Sequence, residues 1–449
     1  MTVGVIGFGV TGRAVVAHLG AIGQPVAVLD DAPGPEQVKA GEALGVEVEH
    51  MPRGEDAIAA RLSGVEMIVP SPGVPVGHPV FAAARRLGVP VRSEIELASE
   101  AARRAGRPAL IAITGTNGKT TVTTLVTAIL QQAGLHVAAA GNIGTPLIEA
   151  VAGGSDIVVA EISSFQLQFT ELFHPAVSCW LNLAPDHLDW HDTIDHYAAA
   201  KARIWANQTS GDAAAINADD HAVAEWARTI PPGVRRITWS VEGPADFVVS
   251  GGRLVGPGGV GLIEVSELPR AFPHDVSNAL AAAAVATAAG ASPDACRSGL
   301  VGVVLLPHRV SLVAEDAGVR WYDDSKATTP ASVLAAVAGF ESVVLIAGGR
   351  NKGLDLTPLA GTVPPVRAVV AIGEAGPEVA AVFDRLAPVR RAASMDEAVQ
   401  LAAQMARPGD SVLLSPGCAS FDWYLSYAAR GDDFAAAVRT HLRKGGAPC

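Results

Sequence analysis

An apolar run that leads into a glycine-rich turn, at residues 109–121, constrains the fold of this chain more than any other segment. Residues 109–113 are compatible with a buried strand, and the turn after them ends in Lys119-Thr120. Apolar residues then recur at helical spacing between 122 and 130. Strand, loop and helix N-terminus form a phosphate cradle in which backbone N–H groups face the anion, a lysine reaches the terminal phosphates and a threonine hydroxyl holds Mg²⁺. The segment therefore predicts an α/β fold with a nucleotide site.

This loop is a shortened form of the full phosphate-loop pattern, because Ile113 stands where that pattern has a glycine five residues before Gly118. The alternative is a Gly-rich turn between a strand and a helix, with a lysine on the surface. The agreement of strand, loop, Lys-Thr pair and helix favours the phosphate site. The residues predicted to bind the phosphates of a nucleotide are Gly115, Thr116, Asn117, Gly118, Lys119, Thr120 and Thr121.

Length and charge exclude several classes of protein. The 449 residues predict about three domains, and a net charge of −12, from 33 basic and 45 acidic residues, argues against a nucleic-acid partner. Four cysteines without C-x-x-C spacing fit a reducing cytoplasm and argue against structural zinc. We expect no signal peptide, because a strand begins almost at the first residue. We expect no membrane insertion, because the longest weakly polar stretch, 279–291, is too short.

Alternating strand and helix patterns divide the chain into three α/β blocks with parallel sheets. They are a Rossmann-like domain over 1–96, a central ATPase-like domain with the phosphate loop over 97–305, and a Rossmann-like C-terminal domain over 306–449. Short strands with glycine turns and then a long Ala-rich helix are expected after residue 234. Apart from the strand before the phosphate loop, the strands expected are 3–6, 26–29, 67–69, 157–161, 177–183, 343–346, 368–372 and 411–414.

The first block contains a dinucleotide-binding pattern. Gly7, Gly9 and Gly12 have the G-x-G-x-x-G spacing, and Asp30 ends the next strand. Taken alone, this pattern predicts a nicotinamide-dependent dehydrogenase. The same turn can hold any diphosphate, because its glycines let the backbone approach and the helix N-terminus attracts the charge. Both interpretations stay open on these residues.

Three side chains of the second block are candidates for metal or substrate binding. Glu161 follows a buried strand, where it is either an oxygen ligand for Mg²⁺ or an acid favoured at a helix start. His187 also follows a strand and is a metal ligand, a substrate contact or a structural residue; imidazole suits Mn²⁺ better than Mg²⁺. Lys201 lies in an Ala-rich helix, and composition alone predicts a solvated lysine.

A series of short motifs along the whole chain resembles the Mur ligase family, and within it the D-glutamate-adding members. In order they are Gly115–Thr120, Gly141–Gly144, Glu161–Gln166, Asp186–Asp189, Tyr197-x-x-x-Lys201, His308-Arg309, Asp323–Thr328, Gly348-Gly349-x-x-Lys352-Gly353 and Leu414–Ser420. The resemblance implies ATP, Mg²⁺ (or Mn²⁺), a cytoplasmic enzyme of peptidoglycan precursor synthesis, and the formation of an amide through an acyl phosphate. The implied substrates are UDP-MurNAc-L-Ala and D-glutamate.

The resemblance also implies residue roles. Thr120 and Glu161 would hold one metal ion, and His187 with a carbamylated Lys201 would hold a second; Lys119, His187 and Lys201 would serve catalysis. The further ATP contacts it implies are Asn278, Arg309, Asp324 and Lys326. The implied contacts of the UDP-sugar are Gly9, Val10, Thr11, Ser71, Pro72, Gly73, Asn142 and Ser163. Those of D-glutamate are Thr328, Lys352, Ser420, Phe421 and Tyr427; the alternative for Lys352 is a solvated loop lysine.

The chain departs from the family pattern at three places. His274-Asp275 stands where members often have His-Asn, and Asp31-Ala32 stands where the resembling enzyme has Thr-Arg near the UDP group. Tyr427 stands where that enzyme has Phe, which keeps the ring and adds a hydroxyl. Two other functions stay open. Another ATP-dependent amide ligase, such as a different Mur ligase or a folylpolyglutamate synthase, would use the same centre with another acceptor. A nicotinamide dehydrogenase would explain the first glycine turn but not Lys119-Thr120.

Overall fold

The structure is a computed structural model that describes residues 2–445. Three sheets follow one another along these residues. The first is fully parallel with strand order β3-β2-β1-β4, so the glycine turn follows its central strand β1. Its elements are β1 (Thr2–Ile6), α1 (Val10–Ala21), β2 (Val26–Asp30), α2 (Pro35–Ala43), β3 (Val48–His50), α3 (Glu55–Arg61), β4 (Val65–Pro70) and α4 (Pro79–Leu87).

The second sheet contains the strand that leads into the phosphate loop. Its order is β13-β12-β11-β10-β9-β8-β5-β7-β6; β12 pairs antiparallel with both neighbours and the remaining pairs are parallel. The strands are β5 (Ala109–Thr114), β6 (Val137–Gly141), β7 (Ile157–Glu161), β8 (Val177–Trp180), β9 (Ala213–Asn217), β10 (Arg235–Ser240), β11 (Phe247–Ser250), β12 (Arg253–Gly256) and β13 (Val260–Glu264). The helices are α5 (Glu94–Ala105), α6 (Lys119–Gln132), α7 (Leu147–Ala152), α8 (Ser164–Leu167), α9 (Leu188–His191), α10 (Ile194–Ala202), α11 (His221–Trp226), α12 (Pro273–Ala288) and α13 (Pro293–Val301).

The third sheet has the order β14-β15-β19-β16-β17-β18, with β14 antiparallel to β15 and the other pairs parallel. Its strands are β14 (Ser311–Asp316), β15 (Val319–Asp323), β16 (Val343–Gly348), β17 (Val366–Ile372), β18 (Val389–Arg391) and β19 (Ser411–Gly417). Its helices are α14 (Pro330–Val337), α15 (Gly376–Phe383), α16 (Met395–Met405) and α17 (Tyr427–Gly445).

Burial of apolar strands explains why sequence patterns find the centre of each sheet. Every residue of β16 is buried, as expected for a central parallel strand covered on both faces. In α6 the buried residues include all of the predicted apolar face: Val122, Leu125, Val126, Ile129 and Leu130. The three parallel-type α/β sheets confirm the predicted fold class.

The predictions missed strands at the sheet edges and one strand inside the second sheet. The strands not expected are β3, β6, β9 and β18 and the hairpin β14–β15. β3 and β18 have three residues each with a single apolar side chain, and β6 and β9 are mostly alanine, so these segments carry little periodic signal. The strand predicted over 177–183 ends at Trp180. The residues after it leave the sheet to contact the phosphate loop.

By compactness the chain forms two units. The first comprises residues up to Leu183 together with Asp195–Glu267 and Asn278–Val303, and therefore contains the first two sheets. The second comprises Ala184–Ile194, Leu268–Ser277 and residues from Val304, and contains the third sheet. Across the described residues, no helix is both long enough and apolar enough to cross a membrane.

Candidate functional site

The phosphate loop joins β5 to α6 in the first unit. Gly115 and Gly118 have φ angles of +156° and +83°, a conformation that a side chain would oppose. The ammonium of Lys119, the first residue of α6, folds back over the loop and donates to the carbonyl oxygens of Gly115 at 2.8 Å and Thr116 at 2.9 Å. A loop of this shape before a long helix presents N–H groups and a lysine to an anion.

Asn182, which follows β8, fixes the phosphate loop from the neighbouring strand. Its side chain accepts from the Asn117 amide at 2.8 Å and donates to the Asn117 carbonyl at 3.1 Å. Its own carbonyl accepts from the Thr116 amide at 3.1 Å. The sequence shows Asn182 only as a polar residue after a strand, so its clamping role was missed.

Asn278, predicted to contact the nucleotide, lies against the same loop. A Cβ atom added to Gly118 would come within 2.7 Å of the side-chain oxygen of Asn278. Gly118 is therefore required for its left-handed backbone and also for the room that it leaves beside Asn278. Thr120 and Thr121 stand in the first turn of α6, where both are partly exposed.

Glu161 ends β7 and is 2% exposed. Its Oε1 accepts from the Asn142 amide nitrogen at 2.9 Å, whereas its buried Oε2 has no hydrogen-bond partner among the residues described. A buried carboxylate oxygen without a partner is costly, which indicates a ligand that the protein atoms do not supply.

The residues around Glu161 fit a divalent cation. Hard cations prefer oxygen ligands, and Mg²⁺ is commonly held by one or two carboxylates together with substrate phosphates. No group of three or more His, Cys, Asp or Glu side chains suited to a metal ion occurs within residues 2–445. A cation here would draw on Glu161, the Thr120 hydroxyl and the nucleotide itself.

Lys201 is buried, with 1% of its surface exposed, so the solvated lysine predicted from composition is wrong. Its Nζ donates to the Gly115 carbonyl at 2.9 Å, reaches the Thr114 hydroxyl at 3.5 Å and lies 4.4 Å from the centre of the Tyr197 ring. Helix α10 thus places an amine directly beneath the phosphate loop, at a place that its Ala-rich sequence does not reveal.

A cleft of about 560 Å³ opens beside the carboxyl ends of β1 and β4 in the same unit. It brings together seven of the eight residues predicted to bind the UDP-sugar: Gly9, Val10, Thr11, Ser71, Pro72, Gly73 and Asn142. The eighth, Ser163, caps α8; its hydroxyl donates to the Gln166 side chain, and Gln166 lines the cleft. Asn142 therefore touches both the cleft and Glu161, which links the two predicted sites.

Both oxygens of Asp30, the acid of the dinucleotide pattern, accept hydrogen bonds from backbone amides. One of its oxygens accepts from the Phe8 amide at 2.7 Å and the other from the Ala32 amide at 3.0 Å, so the carboxylate holds the glycine turn closed. Asp31, next to it, lies 3.1 Å from His78 Nε2. The acid that completes the dehydrogenase pattern is thus occupied by backbone.

His187 belongs to the second unit and has a left-handed backbone with φ +54°. Its Nε2 lies 3.3 Å from Asp186 Oδ2, and its amide donates to the other oxygen of the same carboxylate at 2.9 Å. The predicted role of His187 as a metal ligand stays a prediction.

The predicted nucleotide contacts of the C-terminal domain surround a buried carboxyl. Asp324 accepts from the Ser415 hydroxyl at 2.8 Å and from the Val310 amide at 3.3 Å, and burial raises its pKa to about 7. The carbonyl oxygens of Arg309 and Val310 both accept from Arg270. The Lys326 ammonium lies 3.8 Å from the centre of the Tyr427 ring.

Three loops at the carboxyl ends of β15, β16 and β19 carry the residues predicted for D-glutamate. The Arg350 and Ala419 backbones exchange two hydrogen bonds, and the Gly417 amide donates to the Ala327 carbonyl at 2.9 Å. These bonds bring the three loops side by side. Thr328 is partly buried, Ser420 is buried, and Lys352 and Phe421 are exposed. Tyr427, at the start of α17, faces Lys326, so the structure places it beside a predicted nucleotide contact.

Comparison with known proteins identifies the family of this chain. A MurD-like N-terminal domain of Mur ligases matches residues 1–93, the Mur ligase middle domain matches 113–286, and the Mur ligase glutamate ligase domain matches 308–418. The chain belongs to the Mur ligase family. It is 44% identical to the UDP-N-acetylmuramoylalanine--D-glutamate ligase of Frankia casuarinae, over 97% of this chain and 93% of that protein. It is 39% identical to the ligase of the same name from Streptomyces coelicolor, over 97% of each.

Solved Mur ligase structures share the fold at low sequence identity. The UDP-N-acetylmuramate-alanine ligase MurC of Thermotoga maritima superposes with a TM-score of 0.60 at 18% identity, covering 98% of this chain and 100% of that one. A pseudomurein peptide ligase type C from Methanothermus fervidus gives 0.62 at 16% identity, covering 98% and 99%. These likenesses show the Mur ligase fold.

Proposed function

We propose that this Mur ligase adds D-glutamate to UDP-MurNAc-L-Ala, using ATP, to give UDP-MurNAc-L-Ala-D-Glu, ADP and phosphate. The full-length similarity to D-glutamate ligases supports the choice of substrates. The single structural observation that carries the proposal is the hydrogen bond from Asn142 to Glu161, because it joins the cleft beside the first glycine turn to the end of β7, which pairs with the strand that leads into the phosphate loop. We place the reaction in the cytoplasm, where ATP and nucleotide-activated sugars are available.

The donor substrate lies in the cleft of the first unit in this proposal. The diphosphate of UDP meets the backbone amides at the start of α1, a helix of 12 residues whose N-terminus favours an anion. The sugar and the L-alanyl group extend toward Asn142. The L-alanyl carboxylate then arrives near Glu161 and the phosphate loop, where the γ-phosphate of ATP must also lie.

Phosphoryl transfer requires positioning and neutralisation of charge. Lys119 exchanges its two carbonyl partners for β- and γ-phosphate oxygens, and the loop amides hold the rest of the phosphate chain. Thr120 and the unpartnered oxygen of Glu161 would hold Mg²⁺, which would neutralise charge on the phosphates. The L-alanyl carboxylate attacks the γ-phosphorus and ADP leaves, which gives an acyl phosphate. The amine of D-glutamate then attacks the acyl carbon and loses a proton, and the tetrahedral intermediate expels phosphate to leave the amide.

We further propose that Lys201 carries a carbamate. The neutral amine adds to CO₂ and loses a proton, so that Nζ gains an anionic group with two oxygen atoms. Burial at 1% exposure supports this, because a buried site penalises the ammonium charge and protects the product from water. The carbamate and His187 would then serve as ligands of a second metal ion, Mg²⁺ or Mn²⁺.

The acceptor pocket in this proposal lies among the three loops of the C-terminal domain. D-glutamate has two carboxylates, which require cations and donors. Lys352 provides a charge, Thr328 and Ser420 provide hydroxyl groups, and the Phe421 amide provides an N–H donor.

Phosphate release tests the proposal directly. The wild-type protein with ATP and Mg²⁺ should release phosphate only when UDP-MurNAc-L-Ala and D-glutamate are both present. L-glutamate and a diamino acid serve as competing acceptors, and a nicotinamide absorbance assay tests the dehydrogenase alternative. Equal use of L- and D-glutamate, or turnover with a diamino acid, would assign the chain to a different acceptor.

A further inference from the structure

A buried arginine ties together the loops that carry the proposed acceptor pocket. Arg430 lies in α17 and is 1% exposed. Its Nε donates to the Ser325 hydroxyl at 2.9 Å, one terminal nitrogen donates to the Ser325 carbonyl at 2.9 Å, and the other donates to the Cys418 carbonyl at 3.1 Å. A single guanidinium thus holds two segments of chain that lie far apart in sequence.

The third loop packs against the same group. A Cβ added to Gly349, which has φ +130°, would lie 3.0 Å from an Arg430 terminal nitrogen, so a side chain at this position would press on the guanidinium. Ser325 in turn donates from its hydroxyl to the Tyr427 carbonyl at 2.8 Å, which fixes the start of α17. Ser325, Gly349 and Cys418 belong to the loops after β15, β16 and β19.

These same loops carry the predicted D-glutamate contacts. Thr328 lies three residues beyond Ser325, Lys352 three residues beyond Gly349, and Ser420 two residues beyond Cys418. A shift of any one loop would therefore change the spacing of the groups that have to meet both carboxylates of the acceptor.

Burying an arginine at this position costs free energy, because its charge is removed from water. Within the described residues, the hydrogen bonds of Arg430 go to a hydroxyl and two carbonyl oxygens, all of them neutral, and none goes to a carboxylate. Burial lowers its pKa to about 10, so the group stays charged at neutral pH. Well-packed apolar residues often stabilise such sites as well or better, but only a planar guanidinium offers fixed donors in several directions.

We propose that Arg430 is a positioning residue for the amino-acid acceptor: it sets the relative placement of the three loops and thereby the affinity for D-glutamate. This inference rests on the function proposed above. It goes beyond that function because Arg430 itself is buried behind the loops and need not touch the substrate.

The test compares Arg430→Lys and Arg430→Met with the wild-type enzyme in the phosphate-release assay. Both variants should raise KM for D-glutamate about tenfold or more, the equivalent of one lost charge-assisted hydrogen bond. KM for UDP-MurNAc-L-Ala should change less than about twofold, because its cleft lies in the first unit. A purely structural role would lower the active fraction, and hence apparent kcat, without moving any KM.

Arg367 provides a matched control within the same sheet. It binds Asp410 through Nε at 3.0 and 2.9 Å and lies at the start of β17, at the amino ends of the strands rather than at the loops. Arg367→Lys should lower the unfolding temperature and leave KM for D-glutamate unchanged.

Ser325→Ala provides a second test of the same inference if the Arg430 variants do not fold. It removes only the hydroxyl that accepts from Arg430 and should raise KM for D-glutamate about fivefold, as expected for one ordinary hydrogen bond. An unchanged KM in folded Arg430→Lys, or in Ser325→Ala, would overturn the inference while the proposed function stands. Failure of the wild-type enzyme to use D-glutamate would instead refute the proposed function.

Discussion

The buried carboxyl of Glu94 leads to a prediction about how the free energy of unfolding depends on pH. Glu94 is the first residue of α5 and is 2% exposed, and its Oε1 accepts from the Ile148 amide at 2.5 Å. The carboxyl therefore caps α7, which begins directly after Pro146, a residue that lines the cleft beside β1 and β4. Burial raises its pKa from 4.5 to about 7, and hydrogen bonds from the Leu147 and Ile148 amides offset part of that rise.

The direction of the pH effect follows from this shift. The folded-state pKa lies above the unfolded value, so between pH 4.5 and about 7 the folded state holds a proton that the unfolded state has lost. The stabilisation is complete below pH 4.5 and is lost as the pH rises through 7. The difference between the two pKa values corresponds to roughly 3 kcal/mol, at 1.36 kcal/mol per pKa unit.

Glu94→Gln should remove this loss, because an amide stays neutral at every pH and its oxygen can still accept from Ile148. Relative to wild type, the variant should gain up to about 3 kcal/mol of unfolding free energy at pH 8 and little at pH 4.5. Urea unfolding at several pH values measures this. Amide exchange at Leu147 and Ile148 follows the capped helix itself, since the two units need not unfold together.

Glu149→Gln is the matched control, because it removes one exposed carboxylate from α7, the helix that Glu94 caps. It controls for the loss of a negative charge as such. Parallel pH–stability curves for wild type and Glu94→Gln between pH 5 and 8 would refute the argument, because the carboxyl would then be ionised at little cost in the folded protein.

Three further predictions concern activity. Lys119→Ala should keep its fold and lose most of kcat, by several kcal/mol in activation free energy; near-normal turnover in the phosphate-release assay would refute the phosphate-site assignment. Lys201→Ala should be nearly inactive and partly rescued by a short carboxylic acid that replaces the carbamate oxygens; full activity without rescue would exclude the carbamate. Lys352→Ala should raise KM for D-glutamate by about 10- to 100-fold, equivalent to about 1.5–3 kcal/mol, and leave KM for ATP unchanged. The exposed Arg320 supplies the control variant Arg320→Ala, and an unchanged KM in Lys352→Ala would make Lys352 a solvated loop lysine.

Local patterns made the phosphate loop and the three sheets predictable from sequence. The strand, the loop and the first turns of α6 are contiguous, so one stretch of sequence contains the whole signal. The glycine turn after β1 is predictable for the same reason. The ligand of this turn cannot be predicted in the same way, because the Phe8 amide hydrogen-bonds to Asp30 only once the turn has folded.

Residues that act through tertiary contacts escape this kind of prediction. From the sequence, Arg430 is predicted to be one more exposed charge, yet it is buried against a loop that contains Ser325, 105 residues away in sequence. Sequence predicts a solvated lysine at Lys201 because its neighbours are alanines. Only the packing of α10 under the phosphate loop shows that it is buried. In both cases the sequence gives the residue but does not show which residues surround it in the fold.

The departure at Asp275 has a physical explanation in the second unit. Arg270 donates to both oxygens of Asp275 at 2.6 Å, and it also donates to the carbonyls of Arg309 and Val310. A carboxylate suits this forked contact better than the amide that the family often has there. The substitution therefore replaces a neutral side chain by an ion pair that holds the backbone next to Arg309.

The second departure, at Asp31-Ala32, leaves the cleft beside β1 and β4, where we propose that UDP binds, without a cationic side chain. Among the described residues that line this cleft there are Asp30 and Asp31 but no lysine or arginine. Both carboxylates are turned to other partners, Asp30 to backbone amides and Asp31 to His78. The charge of a bound diphosphate must then be met by the amides that begin α1 and by the helix N-terminus. Because those groups are backbone, the cleft can lose the side-chain cation of its relatives without losing the feature that selects an anion.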